Sequence, residues 1–235
     1  MLFEIKEDCN IVTVFYEERG RKKEKDININ DFIESMISAK NKKVDPVTSH
    51  LYMEYDGVKI IQSKFINKTT QIYFLHREKR QAPGQIFNRS YGDIGYPGMI
   101  FAIRVVNKII SSVYVVAVKD TNVSEKTELF CYPYSNVNNK SGKACIGSNG
   151  MNLGKVDNQR VLHVPNMFFS MPNTLHIFSN ENNKLHYQCE ELMKFMQRKD
   201  FDDSILVPLC KYKTYKEWVL SLIHISEPTR LALIS

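Results

Sequence analysis

The chain has 235 residues, 43% of them hydrophobic and 11% aromatic, with a formal net charge of +6. That length suits one large domain or two small ones and is ample for a packed core. No apolar run reaches the roughly 18 residues that a membrane helix needs, and Met1-Leu2-Phe3-Glu4-Ile5-Lys6-Glu7-Asp8 lacks a charged-then-apolar signal pattern, so a soluble, cytoplasmic protein is expected. Part of the charge is local, in Arg19-Gly20-Arg21-Lys22-Lys23-Glu24-Lys25 and His76-Arg77-Glu78-Lys79-Arg80. These runs read as solvated turn or strand-edge residues. The functional alternative is docking to an acidic protein partner or to nucleic acid. Aromatic residues are not interleaved with the charges, which argues against nucleic acid.

In chain order, Ile11-Val12-Thr13-Val14-Phe15-Tyr16 is a β-branched strand run ahead of a turn at Gly20. Phe32, Ile33, Met36 and Ile37 share one face at helical spacing, which predicts a helix over 29–40 with Asn30 as its N-cap. Val58-Lys59-Ile60-Ile61 and Gln71-Ile72-Tyr73-Phe74-Leu75 are two further strands. Residues 81–98 hold Pro83, Gly84, Gly92, Gly95, Pro97 and Gly98, a density that predicts a long loop or a linker.

Met99-Ile100-Phe101-Ala102-Ile103-Arg104-Val105-Val106 and Val113-Tyr114-Val115-Val116-Ala117-Val118 are nearly continuous apolar strands. They read as strands buried on both faces, or else as a one-sided meander. Glu128-Leu129-Phe130-Cys131-Tyr132 reads as a short third strand. Residues 148–160 are polar and irregular. Leu185, Cys189, Leu192, Met193 and Met196 form one stripe, which predicts a helix over 183–199. Strands, then a polar loop, then a packing helix is an α+β order. The expected organisation is a β-rich N-terminal region with one helix over 1–90, a second domain over 91–220 and a tail over 221–235. Ser221-Leu222-Ile223-His224-Ile225-Ser226-Glu227-Pro228-Thr229-Arg230-Leu231 looks like a translated sequencing adaptor, so the tail is set aside from functional reasoning.

The five cysteines are Cys9, Cys131, Cys145, Cys189 and Cys210. Their odd count and wide spacing argue against a disulfide framework and a CxxC-type zinc site, and no cofactor is implied. Cys131 and Cys189 fall on apolar segments and read as core. Cys145 differs, because the stretch Asn136-Val137-Asn138-Asn139-Lys140-Ser141-Gly142-Lys143-Ala144-Cys145-Ile146-Gly147 delivers it from a polar, turn-rich loop where a bulky partner could reach a thiolate. Three readings compete. A buried small hydrophobe is the ordinary fate of a free cysteine, and Ala144 and Ile146 fit it. A Cys–His hydrolase would draw its base from His163, His176 or His186, but His186 falls within the predicted helix and His163 and His176 lie among apolar residues. Thioester transfer needs an exposed thiolate and a donor for the developing oxyanion, a role in which Asn136 is well placed. Gly142 is a candidate for positive φ or close backbone approach, Gly147 is a weaker one, and Tyr134 either lines the site or packs.

The order of motifs resembles that of ubiquitin-conjugating enzymes, where His-Pro-Asn-Ile/Val precedes a Gly-x-x-Cys element. Asn136-Val137 and Gly142-Lys143-Ala144-Cys145 match those parts, while Tyr134 and Ser135 stand where that family has histidine and proline. The loop is also one residue longer. A narrower set of bacterial ubiquitin-conjugating-enzyme-like proteins, prokaryotic family D (PRTRC system protein B), lacks that histidine and is similar over roughly 97–178. The matching segments are Pro97-Gly98-Met99-Ile100-Phe101, Val116-Ala117-Val118, Thr127-Glu128-Leu129, Pro133-Tyr134-Ser135-Asn136-Val137, Gly142-Lys143-Ala144-Cys145-Ile146-Gly147 and Phe168-Phe169-Ser170.

The resemblance implies a ubiquitin-conjugating-like antiparallel β-meander with packing helices. It implies a thioester-forming Cys145 with Asn136 as oxyanion or loop-ordering residue. It further implies three partners encoded nearby: an adenylating activating enzyme, a ubiquitin-like protein and a metalloprotease that removes it. The alternative is a non-catalytic scaffold or adaptor of the same cassette, with the hydrolase reading placed below both.

Overall fold

A computed structural model of the chain describes residues 2–5, 10–18, 21–32, 47–49, 53–147, 154–175 and 177–224. The chain divides into two units, 1–45 and 46–235. The first is an antiparallel sheet of β1 (Leu2–Ile5), β2 (Ile11–Glu18) and β3 (Arg21–Asn28) in that order. Val12 and Val14 are buried within it, as the β-branched run predicts. The Thr13 hydroxyl donates to Asp26 across the β2–β3 pair at 2.7 Å. Lys22 to Lys25 lie exposed on β3, so this basic run is a solvated strand. Residues 29–32 are helical, and the capping side chain is Asn28, which accepts the Asn30 N–H at 2.9 Å, rather than Asn30. The remainder of the predicted helix, 33–40, lies outside the described residues, as does Cys9.

The second unit is built on an antiparallel sheet in the order β11-β10-β7-β6-β4, with β5 also paired to β6. These strands are β4 (Val47–Ser49), β5 (Glu54–Tyr55), β6 (Val58–Phe65), β7 (Thr70–Arg77), β10 (Gly98–Val106) and β11 (Ile109–Val118). The apolar runs of β10 and β11 are continuous because both sheet faces are covered. On one face Leu75, Phe101, Ile103 and Val115 pack in a core shared with α1 (Val164–Ser170) and α2 (Cys189–Phe195). On the other, Phe74, Ile100, Val116 and Val118 pack with Leu129, Cys131 and Trp218 of α3 (Tyr215–His224). The molecule is therefore α+β, with antiparallel sheets and few helices. Among the described residues, no helix is long and apolar enough to cross a membrane.

Several expectations change. The expected boundary near residue 90 does not separate structural units, because β6 and β7 hydrogen-bond into the same sheet as β10 and β11. The 81–98 loop is a hairpin of β8 (Arg80–Ile86) and β9 (Arg89–Tyr96). Gly95 serves packing: a Cβ on it would lie 2.6 Å from the Lys199 carbonyl oxygen and 2.7 Å from the Phe201 nitrogen. The short strand at 128–132 reduces to isolated bridges, with Phe130 exchanging backbone hydrogen bonds with Ala117.

His76 and Arg77, expected in a solvated run, are buried at 2% exposure each. The Arg77 guanidinium lies 4.1 Å from the Phe169 ring centroid, and burial lowers its pKa to about 10. The helix expected over 183–199 is confined to Cys189–Phe195. Before it, the Asn183 carboxamide bonds both the N–H and the carbonyl of Tyr187, an arrangement that competes with helix. Cys189, Leu192, Met193 and Met196 are buried as predicted, whereas Leu185 is exposed. Residue 220 is not a structural break either: α3 continues to His224, and Leu222 is buried. Residues 225–235 lie outside the described residues.

Candidate active-site loop

From the bridge at Phe130 the chain runs through a buried segment, 131–137. Tyr134 is fully buried there. Its ring packs edge-on against Tyr96, Tyr132 and Phe201, and its hydroxyl donates to the Gly95 carbonyl. Burial pushes the phenol well above its ordinary range. Tyr134 therefore packs and anchors the loop from below rather than lining it.

Asn136 follows with φ +68°, a left-handed conformation that asparagine tolerates better than most residues. It is 4% exposed, and its carboxamide is engaged at both ends. Nδ2 donates to the Pro172 carbonyl at 3.0 Å, and Oδ1 accepts from the Thr174 N–H and hydroxyl, each at 3.0 Å. The 172–174 segment is held from its other side by the β8–β9 hairpin: the Asn173 N–H donates to Gln85 and the Phe87 N–H to Asn173. These partners lie far along the chain, and the residue types at 172–174 give no pattern that marks them. A Pro-Asn-Thr turn signal is the most the sequence offers.

Residues 137–144 then fold into a tight hairpin. Val137 bridges Ala144, the Asn138 N–H donates to Lys143 at 2.9 Å and the Gly142 N–H returns to Asn138 at 2.8 Å. The Asn138 side chain accepts from the N–H groups of Lys140 and Ser141 and from the Ser141 hydroxyl. The polar insert is thus exposed at its tip yet closed by its own hydrogen bonds. This hairpin adds to the free edge of β11: the Val115 N–H donates to Gly142 at 2.7 Å and the Ala144 N–H to Val113 at 2.8 Å. Gly142 meets both demands placed on it. Its φ is +71°, and a Cβ there would lie 3.1 Å from the Val115 carbonyl oxygen. Gly147 has φ +72° but nothing within 4 Å of a Cβ, so only its backbone conformation favours glycine.

Cys145 comes where this pairing ends. Its N–H donates to the Asn136 carbonyl at 2.8 Å. Ala144 before it is buried, Ile146 after it is half-buried against the core, and Cys145 itself is half-buried. Among the described residues no side chain hydrogen-bonds its sulfur. Cys131 and Cys189 are buried core thiols as expected, and burial pushes them up to about 11 and about 12. Cys210 is exposed.

The histidines do not assemble a dyad with Cys145 among the described residues. His163, expected to be partly buried, is exposed with its ring 4.6 Å from that of Tyr55. His186 precedes the helix with φ +52°, and its Nδ1 lies 3.6 Å from Glu181. His176 lies outside the described residues. No three His, Cys, Asp or Glu side chains are grouped to hold a metal ion among the described residues.

The family model for Prokaryotic E2 family D matches residues 29–209. No curated protein and no solved structure matches the chain. The matched span covers most of the chain and takes in the main sheet, the 137–144 hairpin, Cys145 and the 172–174 clamp. The chain belongs to prokaryotic E2 family D.

Proposed function

We propose that this protein carries an activated ubiquitin-like protein as a thioester on Cys145, within a bacterial conjugation-like cassette of the PRTRC type. The observation that carries this reading is Cys145 itself, a half-exposed thiol at the end of a closed hairpin whose backbone is tied to Asn136. In this scheme an adenylating enzyme activates the C-terminal carboxyl of the modifier and holds it as its own thioester. The Cys145 thiolate attacks that carbonyl, a new S–C bond forms and the enzyme's S–C bond breaks, releasing its thiolate. An acceptor amine then attacks the Cys145 thioester, an amide forms, Cys145 leaves as thiolate and the amine's proton passes to solvent. A metalloprotease of the same cassette would reverse the modification.

Asn136 serves as a positioning residue in this scheme. The hydrogen bonds of its carboxamide go to Pro172 and Thr174, so its support for an oxyanion comes through the order that it imposes on the loop. The direct test is amine transfer by Cys145→Ser, which abolishes transfer while the thermal melt stays unchanged. Transfer at the full rate would end the reading.

A second reading, a non-catalytic adaptor, is favoured by Tyr134. It occupies the position of the histidine in ubiquitin-conjugating enzymes and is buried, with its hydroxyl committed to Gly95. An adaptor would keep its docking functions in Cys145→Ser and would show a slow, unreactive Cys145.

A further inference from the structure

A cleft of about 610 Å³ opens at the end of the main sheet where the β6–β7 and β10–β11 turns lie. One wall is the turn at Asn67–Thr70, and the other is the segment Lys155–Gln159. That second wall is fastened in place. The Tyr73 hydroxyl donates to Asn158 at 2.9 Å, and the Val156 N–H donates to the Lys108 carbonyl at 2.7 Å. The floor is apolar, with Val105 and Val156 buried and Phe65 presented at 47% exposure.

The rim carries Lys68, Lys108 and Lys155, all exposed. Among the described residues none of the three is in an ion pair. Among the described residues Asp157 is the one acid lining the cleft, and its Oδ1 accepts the N–H groups of Gln159 at 3.0 Å and Arg160 at 2.8 Å. With three lysines against one carboxylate, the described lining sets net positive charge around an exposed aromatic ring. A cavity with a net excess of one sign of charge over low-dielectric walls favours oppositely charged partners.

We propose that this cleft docks an extended acidic segment of a partner protein. Its carboxylates lie over Lys68, Lys108 and Lys155, and one of its apolar side chains covers Phe65. Single-stranded nucleic acid fits less well, since it binds through successive aromatic platforms, and among the described residues this cleft offers one exposed aromatic, Phe65, above an aliphatic floor. The docking does not depend on chemistry at Cys145.

Fluorescence anisotropy of the full chain tests this, with a labelled short peptide of Asp and Glu around a single Leu. Controls are the same peptide with Asn and Gln, and an oligothymidine of similar length. The acidic peptide binds saturably and more weakly as salt rises. Its Kd increases by about tenfold or more when Lys68→Glu, Lys108→Glu and Lys155→Glu are combined, increases in Phe65→Ala, and stays the same in Cys145→Ser. Circular dichroism shows the variants folded. Equal binding of the neutral peptide, an unchanged Kd in the triple variant, binding of oligothymidine alone, or no saturable binding would each overturn the proposal.

Discussion

The backbone N–H of Cys145 donates to the carbonyl of Asn136 at 2.8 Å, and the Asn136 side chain in turn grips residues 36 and 38 positions further on. The thiol is therefore placed by a residue whose own conformation is fixed from the 172–174 segment, and through it from the β8–β9 hairpin.

Asn136→Ala tests that placement. It removes the hydrogen bonds to the half-buried Thr174 N–H and to the carbonyl of the exposed Pro172, at about 0.5–1.5 kcal/mol each, and adds about 1 kcal/mol for alanine at positive φ. Chemical denaturation should show a loss of about 3 kcal/mol in all. Asn136→Asp keeps an acceptor for Thr174 and should lose less. Transfer by a folded Asn136→Ala should slow, because the clamp that orders the loop around Cys145 is lost, and Asn136→Asp, which keeps the acceptor for Thr174, should recover part of the rate. An unchanged rate would leave Asn136 as a turn residue and nothing more.

Gly142 and Gly147 share a left-handed backbone but differ in what surrounds them. Gly142→Ala must bear the conformational cost and displace the Val115 carbonyl oxygen at 3.1 Å, so a loss of about 2 kcal/mol is expected. Gly147→Ala meets open space and should lose about 1 kcal/mol. Denaturant melts of the two variants compare them directly. Equal losses would show that the contact with β11 is soft and does not fix the hairpin.

Burial holds the Cys131 and Cys189 thiols up at about 11 and about 12, so both stay protonated and enclosed near pH 8. A thiol probe followed by peptide mapping should label Cys145 and the exposed Cys210 well before either of them. Cys145 labelling as slowly as Cys189 would favour the adaptor reading.

His76 gives a pH dependence with a definite sign. Burial lowers its pKa below the ordinary 6.5, so the unfolded chain binds this proton more tightly than the folded one. Its contribution is complete above 6.5 and is lost as pH falls through the folded value. Thermal melts should therefore decline as pH falls below about 6.5, and His76→Leu should decline less steeply there. Parallel slopes would show that the buried imidazole is not responsible.

Sequence made β10 and β11 plain, because their apolar runs are nearly continuous where the sheet is covered on both faces. It also marked the α2 stripe of Cys189, Leu192, Met193 and Met196, and the loop that ends in Cys145. The β8–β9 hairpin stayed hidden because glycine and proline normally punctuate loops, and here Gly95 instead admits the backbone of 199–201 against a strand. The stripe places the start of α2 too early, since the competing Asn183–Tyr187 bonds are local side-chain chemistry that a hydrophobic stripe does not report. The clamp from Asn136 to Pro172 and Thr174 exists only in three dimensions. For Tyr134 the sequence offers packing beside Pro133 as well as lining the site, and packing is what its ring neighbours from β9, the segment around Tyr132 and the turn after α2 impose.

The central claim is that Cys145 carries an activated modifier. The most direct measurement is intact mass after incubation with the adenylating enzyme, its ubiquitin-like protein and ATP. The account predicts an adduct of the modifier's mass that a reducing thiol removes and that Cys145→Ser does not form. No adduct beside a demonstrably charged adenylating enzyme, or an adduct that persists in Cys145→Ser, would contradict it.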